Sequence, residues 1–203
     1  MSFSIWLTVV SVCLLGAMTP GPSLALVLKY TLNGGRSQGM LTGIAHGFAV
    51  GLYALATVFG LAAIITTSPI TFSVIQWAGA AFLVYLGIQG LRSKPAQALL
   101  VPTIEVKAQH AARDGFLMAC LNPYAAVFFF ALFSQFITAE TTTLGKLVYS
   151  FTAMLIDIGW YVTVAWLFSR PRWLHWLQRY SFWMERIFAI ILLGFAVKLV
   201  LTV

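Results

Sequence analysis

Charge is what this sequence has least of. Twelve of its 203 residues are Lys or Arg and five are Asp or Glu, 8% in all, while 61% are hydrophobic. A water-soluble protein of this length needs a charged shell around its core, and so few charges cannot make one. An apolar surface is stable against lipid instead. The two Cys and three His stand at no metal-ligand spacing, so neither a metal centre nor a cofactor is expected. There is no Walker loop and no GxSxG nucleophile motif. The longest connection, about 92–114, is too short for a separate soluble domain. An ATPase is therefore excluded from this chain, and no enzymatic activity is expected of it. Any transport would draw on an ion gradient or run downhill.

What is present is a series of long apolar runs. A helix needs about 20 mainly apolar residues to cross the hydrocarbon. Six runs qualify, at about 4–31, 39–66, 71–91, 115–137, 146–169 and 186–203. They are too continuous for a β-barrel, which shows short alternating stretches. Met1 to Ile5 carries no Lys or Arg, so the first run reads as a retained helix and not a signal peptide. The basic residues fall in alternate connections: Lys29 and Arg36, then Arg92, Lys94, Lys107 and Arg113, then Arg170, Arg172, Arg179 and Arg186. Basic connections favour the cytoplasmic side, which places both termini outside.

The six spans divide into two sets of three. Met18-Thr19-Pro20 is matched by Leu121-Asn122-Pro123, Gly51-Leu52-Tyr53 by Gly159-Trp160-Tyr161, and Leu86-Gly87 by Leu193-Gly194, all in the same order. A three-span unit crosses an odd number of times, so its copy enters inverted, as in many secondary transporters. The fold expected is an all-α integral membrane protein of six helices in two inverted repeats, with helices one and four broken at Pro. The chain forms a single domain with halves at about 1–94 and 108–203.

Candidate site residues gather at the breaks. In Thr19-Pro20-Gly21-Pro22, two prolines remove two backbone donors and disfavour helix just before each. Carbonyls freed in this way cannot face lipid and must face protein or a wet cavity. Transporters use such breaks to bind ions and polar solutes. Asn122-Pro123 repeats the device, and the Asn122 amide can both donate and accept. Asp157 is the only acid well inside a span, where ionisation is costly and a functional role is the default. It suits proton coupling or recognition of a cationic group. His46, inside span two, is a second coupling candidate, although a packing hydrogen bond explains a lone His equally well.

Other features read structurally. Gly35, Gly39, Gly43, Gly47 and Gly51 recur at every fourth residue, a smooth face on which a helix of this chain or of a second subunit can pack closely. Cys13 and Cys120 stand at different distances from their prolines and read as ordinary small apolar residues. The Trp residues lie largely near span ends, where Trp anchors at the interface. Segment 170–185 mixes basic and aromatic residues and suits a short amphipathic helix on the inner surface.

Together these residues resemble the LysE/RhtB family of bacterial amino-acid exporters. The run Gly16-Ala17-Met18-Thr19-Pro20-Gly21-Pro22, with Gly35-Arg36, Gly39, Gly43 and Gly47 after it, is similar to the family's opening. Tyr85-Leu86-Gly87 with Arg92, then Gly115-Phe116-Leu117, Asn122-Pro123 and Phe128-Phe129-Phe130, continue the likeness. It implies export of amino acids or their derivatives across the bacterial inner membrane, in exchange for protons or another ion, and it admits a homodimer. It carries Pro20, Gly21, Pro22, Asn122 and Pro123 over as site positions. The family often has Asn-Pro-Lys where this chain has Asn122-Pro123-Tyr124, so Tyr124 is expected to stack on or hydrogen-bond the solute in place of a cation.

The expected partners are therefore a small-molecule solute and the bilayer, with no nucleic acid. Three alternatives carry different demands. A metal or inorganic-ion exporter needs several clustered ligands. A thiol redox carrier needs its two Cys to meet. A purely structural subunit would tolerate loss of every polar group within the spans.

Overall fold

The computed structural model describes residues 3–92 and 106–202. Apart from short breaks and turns it is helical in these residues, with no strand among them. The helices are α1 (Phe3–Met18), α2 (Pro22–Gly34), α3 (Arg36–Thr67) and α4 (Pro69–Arg92), followed after the linker by a 3-10 turn (Ala108–His110), α5 (Ala111–Cys120), α6 (Pro123–Phe133), α7 (Thr143–Phe168) and α8 (Pro171–Thr202). Residues 93–105, with Lys94 and most of the expected linker, lie outside the described residues. For 171–178 only the backbone, which is helical, is described.

Proline and glycine set the boundaries. Pro22, Pro69, Pro123 and Pro171 each occupy the first position of a helix, where a missing N–H costs nothing. Gly35 links α2 to α3 with φ +86°, a backbone state closed to most side chains. Asn122 and Thr142 start α6 and α7 by accepting the N–H of Tyr124 at 3.0 Å and of Gly145 at 3.1 Å.

Among the described residues, α3, α4 and α7 are each long and apolar enough to cross a membrane alone. The pairs α1–α2 and α5–α6 qualify when each is taken as one bent span, with bends of 60° and 53°. Both bends lie at the proline breaks. The last expected span, 186–203, falls in α8. That helix departs from expectation at its start, because no separate surface helix covers 170–185. Backbone helix runs unbroken from Pro171, since no further Pro follows and the first Gly is Gly194. At 1.5 Å per residue its 32 residues extend about 48 Å, and among the described residues it is not one of the helices that pass as a membrane span by length and composition.

Packing resolves the role of the glycine stripe. A Cβ on Gly43 would stand 2.7 Å from that of Tyr161, and one on Gly47 would collide with Ile158 Cγ1 and stand 2.8 Å from the Ile158 backbone nitrogen. Gly51 meets Met154 in the same way. The partner is α7 of the same chain, and it lies close because α3 has no side chains in between. Gly39 continues the face against Thr31 and Ala165, and Gly115 lays α5 directly on the Thr42 backbone. The largest apolar cluster joins Val9 and Val12 of α1, Val58 and Leu61 of α3, Phe133 of α6 and Tyr149 of α7. On the outside Phe48, Leu155 and Ile190 are 51%, 62% and 61% exposed, a surface suited to lipid and not to water.

Gly47→Ala should cost about 1–3 kcal/mol, because the Ile158 backbone cannot yield to the added methyl. Gly60→Ala, where nothing lies within 4 Å, should leave the unfolding temperature in detergent unchanged or slightly raised. Equal melting temperatures for the two variants would contradict the assigned contact.

Candidate functional site

The two proline breaks, between α1 and α2 and between α5 and α6, come together on a single cavity of about 700 Å³. Thr19, Pro20, Gly21 and Pro22 form one part of its wall, and Asn122 and Tyr124 another. His46 of α3 and Asp157 of α7 close a third side. Of the residues singled out by sequence, only Pro123 does not line it. Pro123 starts α6 and is exposed beside the wall.

At the first break the backbone is left unpaired for a chemical reason. Pro22 has no N–H to offer the Met18 carbonyl, and Pro20 has none for Gly16. Gly16 instead accepts the Thr19 N–H at 3.2 Å, and the Thr19 hydroxyl folds back on the Leu15 carbonyl at 3.0 Å. Gly21 is extended, and α2 restarts at Pro22. At the second break Asn122 spends its carbonyl oxygen on the Tyr124 N–H. Its amide NH₂ group remains available as a donor, suited to a carboxylate.

His46 and Asp157, 111 residues apart in sequence, form one unit. His46 Nδ1 lies 2.7 Å from Asp157 Oδ2, and His46 Nε2 lies 2.9 Å from Ser23 Oγ. All three residues are buried, and all three line the cavity. The Tyr161 ring stands edge-on to His46 with centroids 4.9 Å apart, fixing its plane. This placement follows from the glycine stripe: Gly43 admits Tyr161 and Gly47 admits the turn that carries Asp157. A carboxylate needs a partner in such a place, and an imidazole held on both nitrogens supplies it.

Sequence reasoning missed several wall residues. Ser23 reads as an ordinary hydroxyl in a helix, and nothing marks it as the partner of His46. Gln89 and Arg92 of α4 and Glu185 of α8 line the same cavity at one end. Arg92 and Glu185 were visible only as ends of connections. Phe128 and Phe129 lie on the wall, and Phe129 continues into the solid cluster through a stacked contact with Phe133 at 5.6 Å. The cavity therefore stops at aromatic packing. Cys13 is buried on the wall and Cys120 is exposed away from it, both free. Among the described residues no three His, Cys, Asp or Glu come together as metal ligands.

The family model for LysE type translocators matches residues 14–202. The chain belongs to this family. Relatives at full length include the threonine efflux protein of Escherichia coli K12, 26% identical over 98% of both chains. The uncharacterized membrane protein YahN of the same organism is 32% identical over 75% of this chain and 69% of its own. The homoserine/homoserine lactone efflux protein of Salmonella typhi is 27% identical over 78% and 77% respectively. No solved structure matches the chain. With its apolar helices, family membership makes it a multi-pass membrane protein of a translocator family.

Removing one partner from the buried pair leaves the other uncompensated. His46→Ala or Asp157→Ala alone should cost about 3–5 kcal/mol. The double replacement should cost clearly less than the sum of the two. Additive losses in thermal unfolding of the purified protein would mean that the pair does not interact.

Proposed function

We propose that this translocator exports amino acids or their derivatives from the bacterial cytoplasm across the inner membrane by alternating access. The observation that carries the reading is the convergence of both helix breaks with the His46–Asp157 pair on one cavity. Its volume lies within the ~300–1,000 Å³ usual for small-molecule sites. An amino acid carries a carboxylate and an ammonium. The Asn122 amide donates to the first, and Asp157 together with unpaired carbonyls of the first break accepts from the second. Tyr124, exposed at the cavity edge, contacts the remainder of the solute. The threonine and homoserine efflux relatives support this substrate class.

The six-span inverted repeat with both termini outside is part of the same proposal, in one transport domain with halves at about 1–94 and 108–203. Helix pairing supports it. The equivalents α3 and α7 pack on each other, as do α4 and α8. α1 packs on α7 as α5 packs on α3, and α2 packs on α7 as α6 packs on α3. Other contacts lack a partner under exchange of the halves: α2 packs on α3 and α4 on α6 without an equally close α6–α7 or α2–α8 contact. The match is imperfect in detail: Gly51 and Gly87 are tightly packed, whereas their equivalents Gly159 and Gly194 face open space. With the basic connections inside, the Arg92 and Glu185 end of the cavity faces the cytoplasm, and the aromatic cluster seals the outer end. The conformation is then inward-open.

Bacterial cells fed peptides accumulate many amino acids at once. Expression of the chain should speed release of one or a few of them, and Asp157→Asn, still inserted in the membrane, should lose most of that gain. Tyr124→Phe and Tyr124→Lys should change which amino acid leaves fastest. An unchanged extracellular profile with the protein present in the membrane would overturn the exporter reading. In the inward-open state Gln89→Cys should react with an impermeant maleimide in inside-out vesicles and not in intact cells. The opposite pattern would reverse the orientation.

A further inference from the structure

The chain from Ser23 through His46 to Asp157 has more order than solute binding requires. His46 is held at both ring nitrogens, by a carboxylate at 2.7 Å and a hydroxyl at 2.9 Å. Among the described residues Asp157 Oδ1 makes no hydrogen bond, and Asp157 lines the cavity, so one carboxylate oxygen faces a place for a ligand. Ser23 sits in the first turn of α2, immediately after the break, and also lines the cavity. We propose that Ser23–His46–Asp157 is the coupling site of the exporter and that it holds one positive charge at a time, either a proton on His46 or the ammonium of an amino acid on Asp157. This rests on the exporter reading above and on the ion exchange that the family likeness implies, and adds the groups that carry the exchange and the sharing of one site by proton and solute.

The exclusivity follows from charge. An imidazolium at His46 already neutralises Asp157. An ammonium bound beside it would add a second positive charge in a buried site. Two unit charges about 4 Å apart at an effective dielectric of about 20 disfavour joint occupancy by roughly a thousandfold. No other group takes over this role. Among the described residues, the other titratable or charged groups on the wall are Cys13 from α1, Arg92 from α4, Tyr124 from α6, Tyr161 from α7 and Glu185 from α8, and α5 contributes none. Arg92 and Glu185 line the wall contributed by α4 and α8, and Tyr161 stands T-shaped to His46 with its hydroxyl hydrogen-bonded to Ser23.

The proton can be followed atom by atom. In the charged state Nδ1–H donates to Asp157 and Nε2–H donates to Ser23 Oγ. When an ammonium reaches Asp157 Oδ1, the Nε2 proton passes to Ser23 Oγ, and the hydroxyl gives its own proton to water in the cavity. Ser23 then donates to the neutral Nε2, and Nδ1–H still donates to Asp157. One proton has left for the side to which the cavity is open, and one ammonium has taken its place. Reversal on the other side of the membrane releases the amino acid and reloads the proton. The net exchange is one proton inward for one amino acid outward.

The test uses the whole protein in proteoliposomes loaded with an equimolar mixture of common amino acids and homoserine. A trapped pH dye reports proton movement, and mass spectrometry reports amino-acid movement. Wild type should move about one proton per amino acid. His46→Gln should lower that ratio at least tenfold, whereas a merely structural defect would slow both fluxes together and leave the ratio intact. In wild type, amino-acid affinity on the open side should weaken about tenfold per pH unit once the pair is protonated. This second readout needs no variant. A wild-type ratio in His46→Gln, or an affinity independent of pH, would overturn the shared site while leaving the exporter standing. A wild-type protein that moves no amino acid would overturn the exporter reading itself, and the coupling site with it.

Discussion

A backbone carbonyl without a hydrogen bond costs several kcal/mol in hydrocarbon, and this chain creates such carbonyls inside two of its spans. Pro22 removes the donor that Met18 would use in a continuous helix, whereas Gly16, which loses its donor to Pro20, turns to the Thr19 N–H. At the second break Pro123 removes the donor of Ala119, which accepts the Asn122 N–H instead. The rest of the structure is arranged around the need to keep these breaks away from lipid. They face a common cavity, and the helices around it turn their bulky apolar side chains outward or into buried clusters, the largest of which reaches the cavity wall at Phe129.

Close packing makes the second contribution. The glycine face of α3 lets α7 approach until Tyr161, Ile158 and Met154 fill the space that side chains would take. That approach puts Asp157 within hydrogen-bond reach of His46. Bulk at Gly47 would push the two helices apart just where the pair must meet. The glycine stripe and the buried acid, which look like separate features of the sequence, are thus one device: the first is the spatial condition for the second. The pair in turn reaches Ser23, so the contact between α3 and α7 extends to the helix break in the first span.

Much of this was legible beforehand, because the signals were of the strongest physical kind. Long apolar runs, paired prolines and a strict four-residue glycine spacing each permit few structures, and the breaks lie where the prolines put them. The intramembrane acid stood out by its cost. What was not legible depended on which side chains meet across the bundle. His46 and Asp157 were each visible, but nothing local links two residues 111 positions apart. Ser23 carries no distinguishing mark in sequence. Arg92 and Glu185 reach the cavity because α4 and α8 pack on each other, which brings the end of α4 and the middle of α8 to one wall. The start of α8 was misjudged for a related reason. Its basic and aromatic residues suggested a surface helix, whereas the absence of a breaker before Gly194 lets the backbone continue from Pro171.

The central claim is that the helix breaks and the buried pair form one binding site for a zwitterionic solute. It is tested most directly by binding to the purified protein, without transport. A ligand that binds the folded state raises its unfolding temperature in proportion to the logarithm of its concentration. A panel of amino acids should contain at least one that stabilises the wild type in this way, and Asn122→Ala and Asp157→Asn, at opposite ends of the site, should each weaken that stabilisation at least tenfold in concentration. Stabilisation unaffected by either replacement would place the solute elsewhere and contradict the account.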